Sequence, residues 1–170
     1  MPTNWYMFFV TGLIPLLIGF LYYNPKTFGT IWMKTNGFTE ESMKGANMGL
    51  IFGLTYLFSV VLSFFFTSVV IHQGGVFSML MPDVMVSGSS DQQVYNELMV
   101  DYGDRFRTFG HGVIHGIMAS VFFVLPIIAI ISLFERRGWK YIMIHFGFWL
   151  ICLMLIGGVL CQTINYGALS

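Results

Sequence analysis

Four histidines are the side chains whose chemistry and spacing suggest a functional site: His72, His111, His115 and His145. Because His111 and His115 are four residues apart, a helix places both imidazoles on one face, one turn apart. His72 lies near the end of another apolar run and is predicted at a similar depth. Three imidazoles at one level can bind zinc or copper, and two can ligate haem iron between helices. Asp101 or Asp104 can supply an additional carboxylate.

Two observations argue against this metal or haem site. By helical angle, His72 points roughly opposite to the small-residue face of its helix, so it faces away from the bundle if that face packs inward. Two histidines at i and i+4 also occur by chance, and they then hydrogen-bond the backbone or interfacial water. His145 stands apart in the last apolar run, where one hydrogen bond to a neighbouring helix would satisfy it.

The composition decides which solvent surrounds these histidines. Of 170 residues, 56% are hydrophobic and 9% are charged, whereas a soluble domain carries about 25% charged residues. Four apolar runs approach the ~20 residues that cross a bilayer: residues 5–23, 46–72, 109–134 and 139–161. Runs without strict alternation favour helices over a barrel. We therefore expect one all-α domain over residues 1–170, a four-helix transmembrane bundle with up-down-up-down topology.

A short amphipathic helix is predicted over residues 26–35, after the first span, with an ordinary loop as the alternative. Apolar and basic side chains lie on opposite faces of this segment, a pattern typical of helices on a membrane surface. Aromatic rings at the interface and a lysine near lipid phosphates would anchor it. The proposed anchor consists of Tyr22, Tyr23, Lys26, Phe28 and Trp32.

The connection between the second and third runs, residues 73–108, is long and acidic. Its five acidic residues outnumber its two arginines. Ser90 with Gln93 resembles a capping box, which predicts a helical segment from that point. Connections of this length are often functional, so this one is the predicted partner-binding surface.

Small residues recur at helical spacing in the second and third apolar runs. Such spacing lets helices approach closely in lipid and predicts a packing seam, with a solute groove as the alternative. The predicted seam comprises Gly45, Gly49, Gly53, Ser59, Ser63, Thr67, Gly112 and Gly116. The pattern leaves open whether the seam packs within one chain or between chains.

Basic residues set the predicted orientation in the membrane. Lys and Arg collect in cytoplasmic loops, and six of the eight here lie in or beside loops 24–45 and 135–138. The second group consists of Arg136, Arg137 and Lys140. We expect both loops in the cytoplasm, with both termini and residues 73–108 outside.

Two stretches resemble a known family. Tyr22–Met33 and Gly37–Glu41 are similar to the opening of the bacterial and fungal membrane family called domain of unknown function 1761. Leu133–Arg137, Ile144–Leu150 and the pair Gly157-Gly158 resemble its last hairpin. The resemblance covers nearly the whole chain. It implies a four-helix protein of the bacterial inner membrane and supplies neither an activity nor catalytic residues.

The sequence does not support an enzyme, because it lacks a phosphate-binding loop, a nucleophile elbow, Cys-x-x-Cys and His-Glu-x-x-His. Zero net charge gives no indication of nucleic-acid binding. The spans lack deep charged residues, which counts against a proton-driven carrier.

The leading hypothesis is an accessory subunit without a cofactor, which lies in the lipid bilayer and binds other membrane subunits or a second copy. One alternative is a small-ligand, metal or haem-binding protein that uses His111 and His115, with His72 as a third ligand. The other is a facilitator for a small lipophilic or uncharged solute.

Overall fold

The structure is a computed structural model that describes residues 4–166 and Leu169, so the expected placement of the two chain ends lies outside the described residues. The described chain is dominated by α-helices, in agreement with the expected all-α class. In chain order these are α1 (Met7–Gly12), α2 (Ile14–Tyr22), α3 (Gly29–Asn36), α4 (Glu40–Met43), α5 (Met48–Val70), α6 (Gln73–Met79), α7 (Ser90–Tyr102), α8 (Phe109–Ala119), α9 (Leu125–Phe134) and α10 (Trp139–Thr163).

Three helices are long and apolar enough to cross a membrane: Met48–Val70, Phe109–Phe134 and Trp139–Thr163. Their ends lie within two residues of the expected spans. The first apolar run is shorter, because Met7–Tyr22 is divided at Leu13 into α1 and α2. Pro15 lies in the first turn of α2, where its missing N–H costs no hydrogen bond.

The second of these long helices, Phe109–Phe134, contains one π-helical turn, Ser120–Val124, between α8 and α9. Pro126 follows directly in the first turn of α9. Its ring clashes with the carbonyl of residue 122 in a regular helix, and it cannot donate the usual hydrogen bond. The wider turn resolves this conflict without ending the helix.

Helix α10 is the central element. Cys152, Ile156 and Leu160 on it are fully buried. Gly112 of α8 faces Gly157, and Gly116 faces Leu153, so α8 and α10 run antiparallel. The helix α1 packs on α5, where Phe8 meets Phe64 edge to face at 5.4 Å.

The connection forms a small unit of its own at one end of the molecule. Val84 and Tyr95 are fully buried in it. Helix α7 begins one residue earlier than expected: the Ser89 hydroxyl, rather than that of Ser90, accepts the cap bond from the Gln92 N–H. Ser89 has the extended backbone that a capping residue requires, whereas Ser90 is already helical.

The described chain ends meet at the same end of the molecule. Asn4 donates to the Thr163 carbonyl at 2.6 Å and accepts from the Asn165 N–H at 3.0 Å. Asn96 in α7 exchanges two hydrogen bonds with Leu169. We call this the connection end of the molecule; the loop between α9 and α10 lies at the opposite end.

Candidate metal centre

Three of the four histidines converge at the connection end. The His72 and His111 Nε2 atoms lie 3.1 Å apart, and the His111 and His115 Nε2 atoms lie 3.0 Å apart. One ligand nitrogen from each residue falls within 4.8 Å of the other two. We call these three residues the histidine cluster.

A change of backbone direction brings His72 into this cluster. Helix α5 ends at Val70, and Ile71 is extended, with φ −120° and ψ 105°. His72 then precedes α6, so its direction no longer follows the helical angle of α5. The expectation that His72 faces away from the bundle is therefore wrong, because it continued a helix that stops two residues earlier.

The short contacts around His111 suit a cation better than a set of ordinary hydrogen bonds. A neutral imidazole nitrogen carries either one proton or one lone pair, so it makes one good hydrogen bond. His111 Nε2 has two imidazole nitrogens within 3.1 Å. In a tetrahedral zinc site with bonds of about 2.0 Å, neighbouring nitrogens lie about 3.3 Å apart. The observed separations are close to that geometry.

The spacing fits a single ion better than a haem. Two axial ligands on opposite sides of an iron are separated by twice a metal–nitrogen bond, about 4 Å. His111 and His115 Nε2 atoms at 3.0 Å are too close for that arrangement. Among the described residues, the group of side chains close enough to hold one ion here consists of the three histidines. Asp101 and Asp104 lie outside this group.

Phe106 covers the histidine cluster. Its ring stacks on His111, with centroids 5.2 Å apart and an angle of 19° between planes. It also meets His72 edge to face at 6.2 Å. Phe106 has φ +63°, a left-handed conformation that bulky residues rarely adopt. Such strain persists only where surrounding contacts hold it.

Those contacts fix the loop before α8. Buried Gln73 donates from Nε2 to the carbonyls of Tyr102 and Arg105, at 2.8 and 3.0 Å. Arg107 donates from Nε to the Cys161 carbonyl at 2.7 Å, near the negative end of α10. Burial lowers the pKa of the Arg107 guanidinium. The loop is thereby tied both to the residue after His72 and to the central helix.

A cavity of about 220 Å³ adjoins the cluster. His72, Gln73, Leu98, Tyr102, Arg105 and Phe106 are among the residues that line it. The Arg105 guanidinium lies 5.3 Å from the Tyr102 ring centre and 5.6 Å from that of Phe106. A metal bound by three histidines would keep its fourth position for water or for a small ligand.

His145 lies away from the cluster, on α10. Its Nδ1 atom is 3.5 Å from the Tyr23 hydroxyl, which is long for a hydrogen bond. The Nε2 atom is buried without a partner among the described residues. The structure therefore offers a weak version of the single interhelical hydrogen bond expected for this residue.

The predicted seam divides into two parts. Ser59, Ser63 and Thr67 are buried, and a Cβ atom on Gly112 or Gly116 would overlap the backbone of α10. Gly49 and Gly53 are exposed. Gly45 lies before α5 with φ +89°, which corrects its expected place on that helix. This glycine favours a left-handed turn, not helix packing.

The aromatic anchor and the basic loop lie at the opposite end. Tyr22 is buried, and its hydroxyl donates to the Ile144 carbonyl at 3.1 Å. Tyr22 therefore packs on α10 and is not available as an exposed anchor. Phe28 is exposed, and its ring lies 4.6 Å from that of Tyr22. The ring of Trp32 packs against Tyr23.

Exposed positive charges remain at this end of the molecule. Lys26, Arg136, Arg137 and Lys140 are exposed. The Arg137 guanidinium lies 5.4 Å from the Tyr141 ring centre, and its Nε atom is 3.7 Å from a Glu135 carboxylate oxygen. The expected basic surface beside α10 is therefore present at the end opposite the histidine cluster.

Sequence reasoning missed the roles of Phe106 and Gln73. The sequence contains one clue, since Gln73 directly follows His72 at the end of an apolar run, where a buried amide must find partners. No pattern predicts a phenylalanine with positive φ, because that conformation is imposed by tertiary contacts.

The sequence profile of the family described as "Protein of unknown function (DUF1761)" matches residues 6–161. The chain therefore belongs to this family, which confirms the resemblance of its opening element and its last hairpin. No curated protein and no solved structure matches the chain.

Proposed function

We propose that this DUF1761 protein is a metal-binding membrane protein that holds one transition metal ion with His72, His111 and His115. The observation that carries this proposal is the convergence of three Nε2 atoms, with two contacts of 3.0 and 3.1 Å at His111. The three side chains come from two separate segments, so chance spacing within one helix does not account for it.

The proposed ion is Zn²⁺ or Cu²⁺. Neutral imidazoles suit both ions, and a site without carboxylates disfavours Mg²⁺ and Ca²⁺, which prefer oxygen ligands. Three histidines leave one coordination position open, as in zinc sites that bind water. The 220 Å³ cavity beside His72 gives a ligand access to that position.

The test is a titration of the purified full-length protein, stripped with a chelator, with Zn²⁺ and with Co²⁺ as a spectroscopic probe. We expect one ion per chain and visible absorption typical of low-coordinate Co²⁺. His111→Gln removes the central ligand and is expected to lower the affinity by about 100-fold or more. His72→Gln and His115→Gln are expected to have effects of the same kind.

His145→Gln is the matched control, because it removes a histidine that lies outside the cluster. This variant is expected to bind Zn²⁺ as the wild type does. Binding that survives all three cluster substitutions, or that disappears equally in His145→Gln, would overturn the proposal.

The membrane arrangement is part of the same proposal. The broken helix α1–α2 would be the fourth crossing, which completes an up-down-up-down transmembrane bundle in the bacterial inner membrane. The connection end, with the histidine cluster, would lie outside the cytoplasm, and the basic loops inside it. Ser90→Cys should then react with an impermeant maleimide in intact cells, while Thr30→Cys should not.

An accessory role remains the second candidate, favoured by one observation. A Cβ atom added to Gly53 would meet no atom of the described residues within 4 Å, and one added to Gly49 would meet only the Asn47 side chain. A neighbouring helix in the membrane can approach this surface closely. Cysteine crosslinking from Gly53→Cys would trap such a neighbour or a second copy.

A solute facilitator has less support. Ser59, Ser63 and Thr67 are buried. The structure has a cavity beside His72 and a second groove beside α3. Neither is lined by a residue of the small-residue face of α5, residues 49–67.

A further inference from the structure

A groove lies between α3 and the first turns of α10, at the end opposite the histidine cluster. Its volume is about 860 Å³. Among the residues that line it are Phe28, Ile31, Lys34, Trp139, Lys140 and Met143. We call this feature the lysine groove.

The walls of the lysine groove are apolar, and they are not covered by the rest of the described chain. Phe28 and Ile31 are each 45% exposed, and Trp139 is 64% exposed. The groove opens between α3 and the start of α10, a helix long enough to cross a membrane, so its mouth is expected near the membrane surface. Tryptophan favours that boundary between hydrocarbon and headgroups.

The charge of the groove is positive. Two ion pairs occur among the described side chains, Lys44 with Glu41 and Arg137 with Glu135, and neither uses Lys34 or Lys140. Lys34 and Lys140 are both exposed. A lysine ammonium binds phosphate as a point charge. The first turn of α10 has no side-chain cap and adds a partial positive charge.

From this combination we propose that the lysine groove binds one anionic phospholipid of the adjoining leaflet. The phosphate lies at Lys34 and Lys140, and an acyl chain lies along Ile31 and Met143. Apolar walls alone would accept any lipid, so the two lysines provide the preference for an anionic headgroup. Basic pockets at the ends of transmembrane helices are suited to such lipids. This proposal does not depend on the histidine cluster.

The test uses the purified full-length protein in mild detergent with an equimolar mixture of phosphatidylglycerol and phosphatidylcholine of identical acyl chains. Native mass spectrometry counts the lipids retained on each chain. The wild type is expected to retain one phosphatidylglycerol in preference to phosphatidylcholine. Each lysine contributes about 5-fold to this preference, so the double variant Lys34→Gln/Lys140→Gln is expected to reduce it by about 25-fold.

The matched control is Lys44→Gln/Arg136→Gln, which removes the same charge from two exposed basic residues outside the groove. It is expected to keep the wild-type preference. A third variant, Met143→Trp, narrows the groove without changing its charge and is expected to lower the retention of both lipids.

Three results would overturn the proposal. The first is a wild type that retains both lipids equally or retains neither. The second is a control pair that loses as much preference as the groove pair, which would indicate general surface electrostatics. The third is crosslinking between two copies through Ile31→Cys in membranes, which would show that a second chain covers the groove.

Discussion

Gly112 and Gly157 face each other backbone to backbone, and a Cβ atom on either would overlap the carbonyl of the other. This contact joins α8 to α10. Gly112 directly follows His111 in the sequence. The position of the central histidine is therefore set by the packing of two helices, which only glycine permits here.

Gly112→Ala is expected to destabilise the protein by about 2 kcal/mol, since the added methyl group forces the helices apart. Because His111 would move with α8, zinc affinity should fall as well. Gly53→Ala is the matched control: its Cβ would meet no described atom within 4 Å, so alanine should be neutral or stabilise the helix by up to about 1 kcal/mol. Thermal unfolding in detergent compares the two, and a more stable Gly112→Ala would contradict the packing argument.

The same glycine spacing thus has two different outcomes in this chain. Gly49 and Gly53 repeat every four residues as Gly112 and Gly116 do, yet of these two pairs the second alone meets another helix of the described chain. Periodicity predicts which face of a helix carries small residues and can therefore be approached closely. It does not identify the partner, because that depends on tertiary arrangement.

The long helices could be predicted because their apolar runs are continuous and match bilayer thickness. The histidine cluster could be predicted only in part. His111 and His115 share one helix, so their spacing was sufficient to predict that their side chains lie together. The position of His72 in the cluster depends on the extended backbone of Ile71. No proline or glycine at that position indicates that the helix ends there.

Gln73 is expected to be needed for the geometry of the cluster. Gln73→Leu removes both hydrogen bonds to the loop before α8, at a cost of about 1–2 kcal/mol in the free energy of unfolding. Zinc should also dissociate faster, because the loop that holds Phe106 is released. Gln93→Leu, at an exposed position of α7, should change neither property. Chemical unfolding and zinc transfer to a chelator measure the two effects.

Phe106→Gly should separate backbone strain from protection of the metal. Glycine adopts φ +63° without cost, which offsets the loss of a ring that is 56% exposed, so stability should stay within about 1 kcal/mol of the wild type. Zinc release should accelerate several-fold, since the ring no longer covers His111. Equal release rates in stopped-flow chelation would argue that Phe106 does not shield the site.

Tyr95→Phe is expected to stabilise the protein. Tyr95 is fully buried in the core of the connection, and its hydroxyl has no partner among the described residues. A buried hydroxyl without a hydrogen bond costs about 1 kcal/mol or more, which phenylalanine removes while keeping the ring. Tyr102→Phe is the control, because Tyr102 is exposed and should tolerate the change without effect.

The pH dependence of stability provides a second measurement on the same variant. Burial raises the pKa of Tyr95 above its ordinary value of 10.0, so the folded protein keeps this proton where the unfolded chain has lost it. The stability linked to Tyr95 is therefore complete below pH 10 and falls as the pH rises through the raised pKa. Tyr95→Phe should show a shallower alkaline loss of stability than the wild type, since other tyrosines still titrate. Lower stability of Tyr95→Phe at neutral pH would mean that the hydroxyl has a partner, and an identical alkaline slope would mean that the pKa of Tyr95 is not raised.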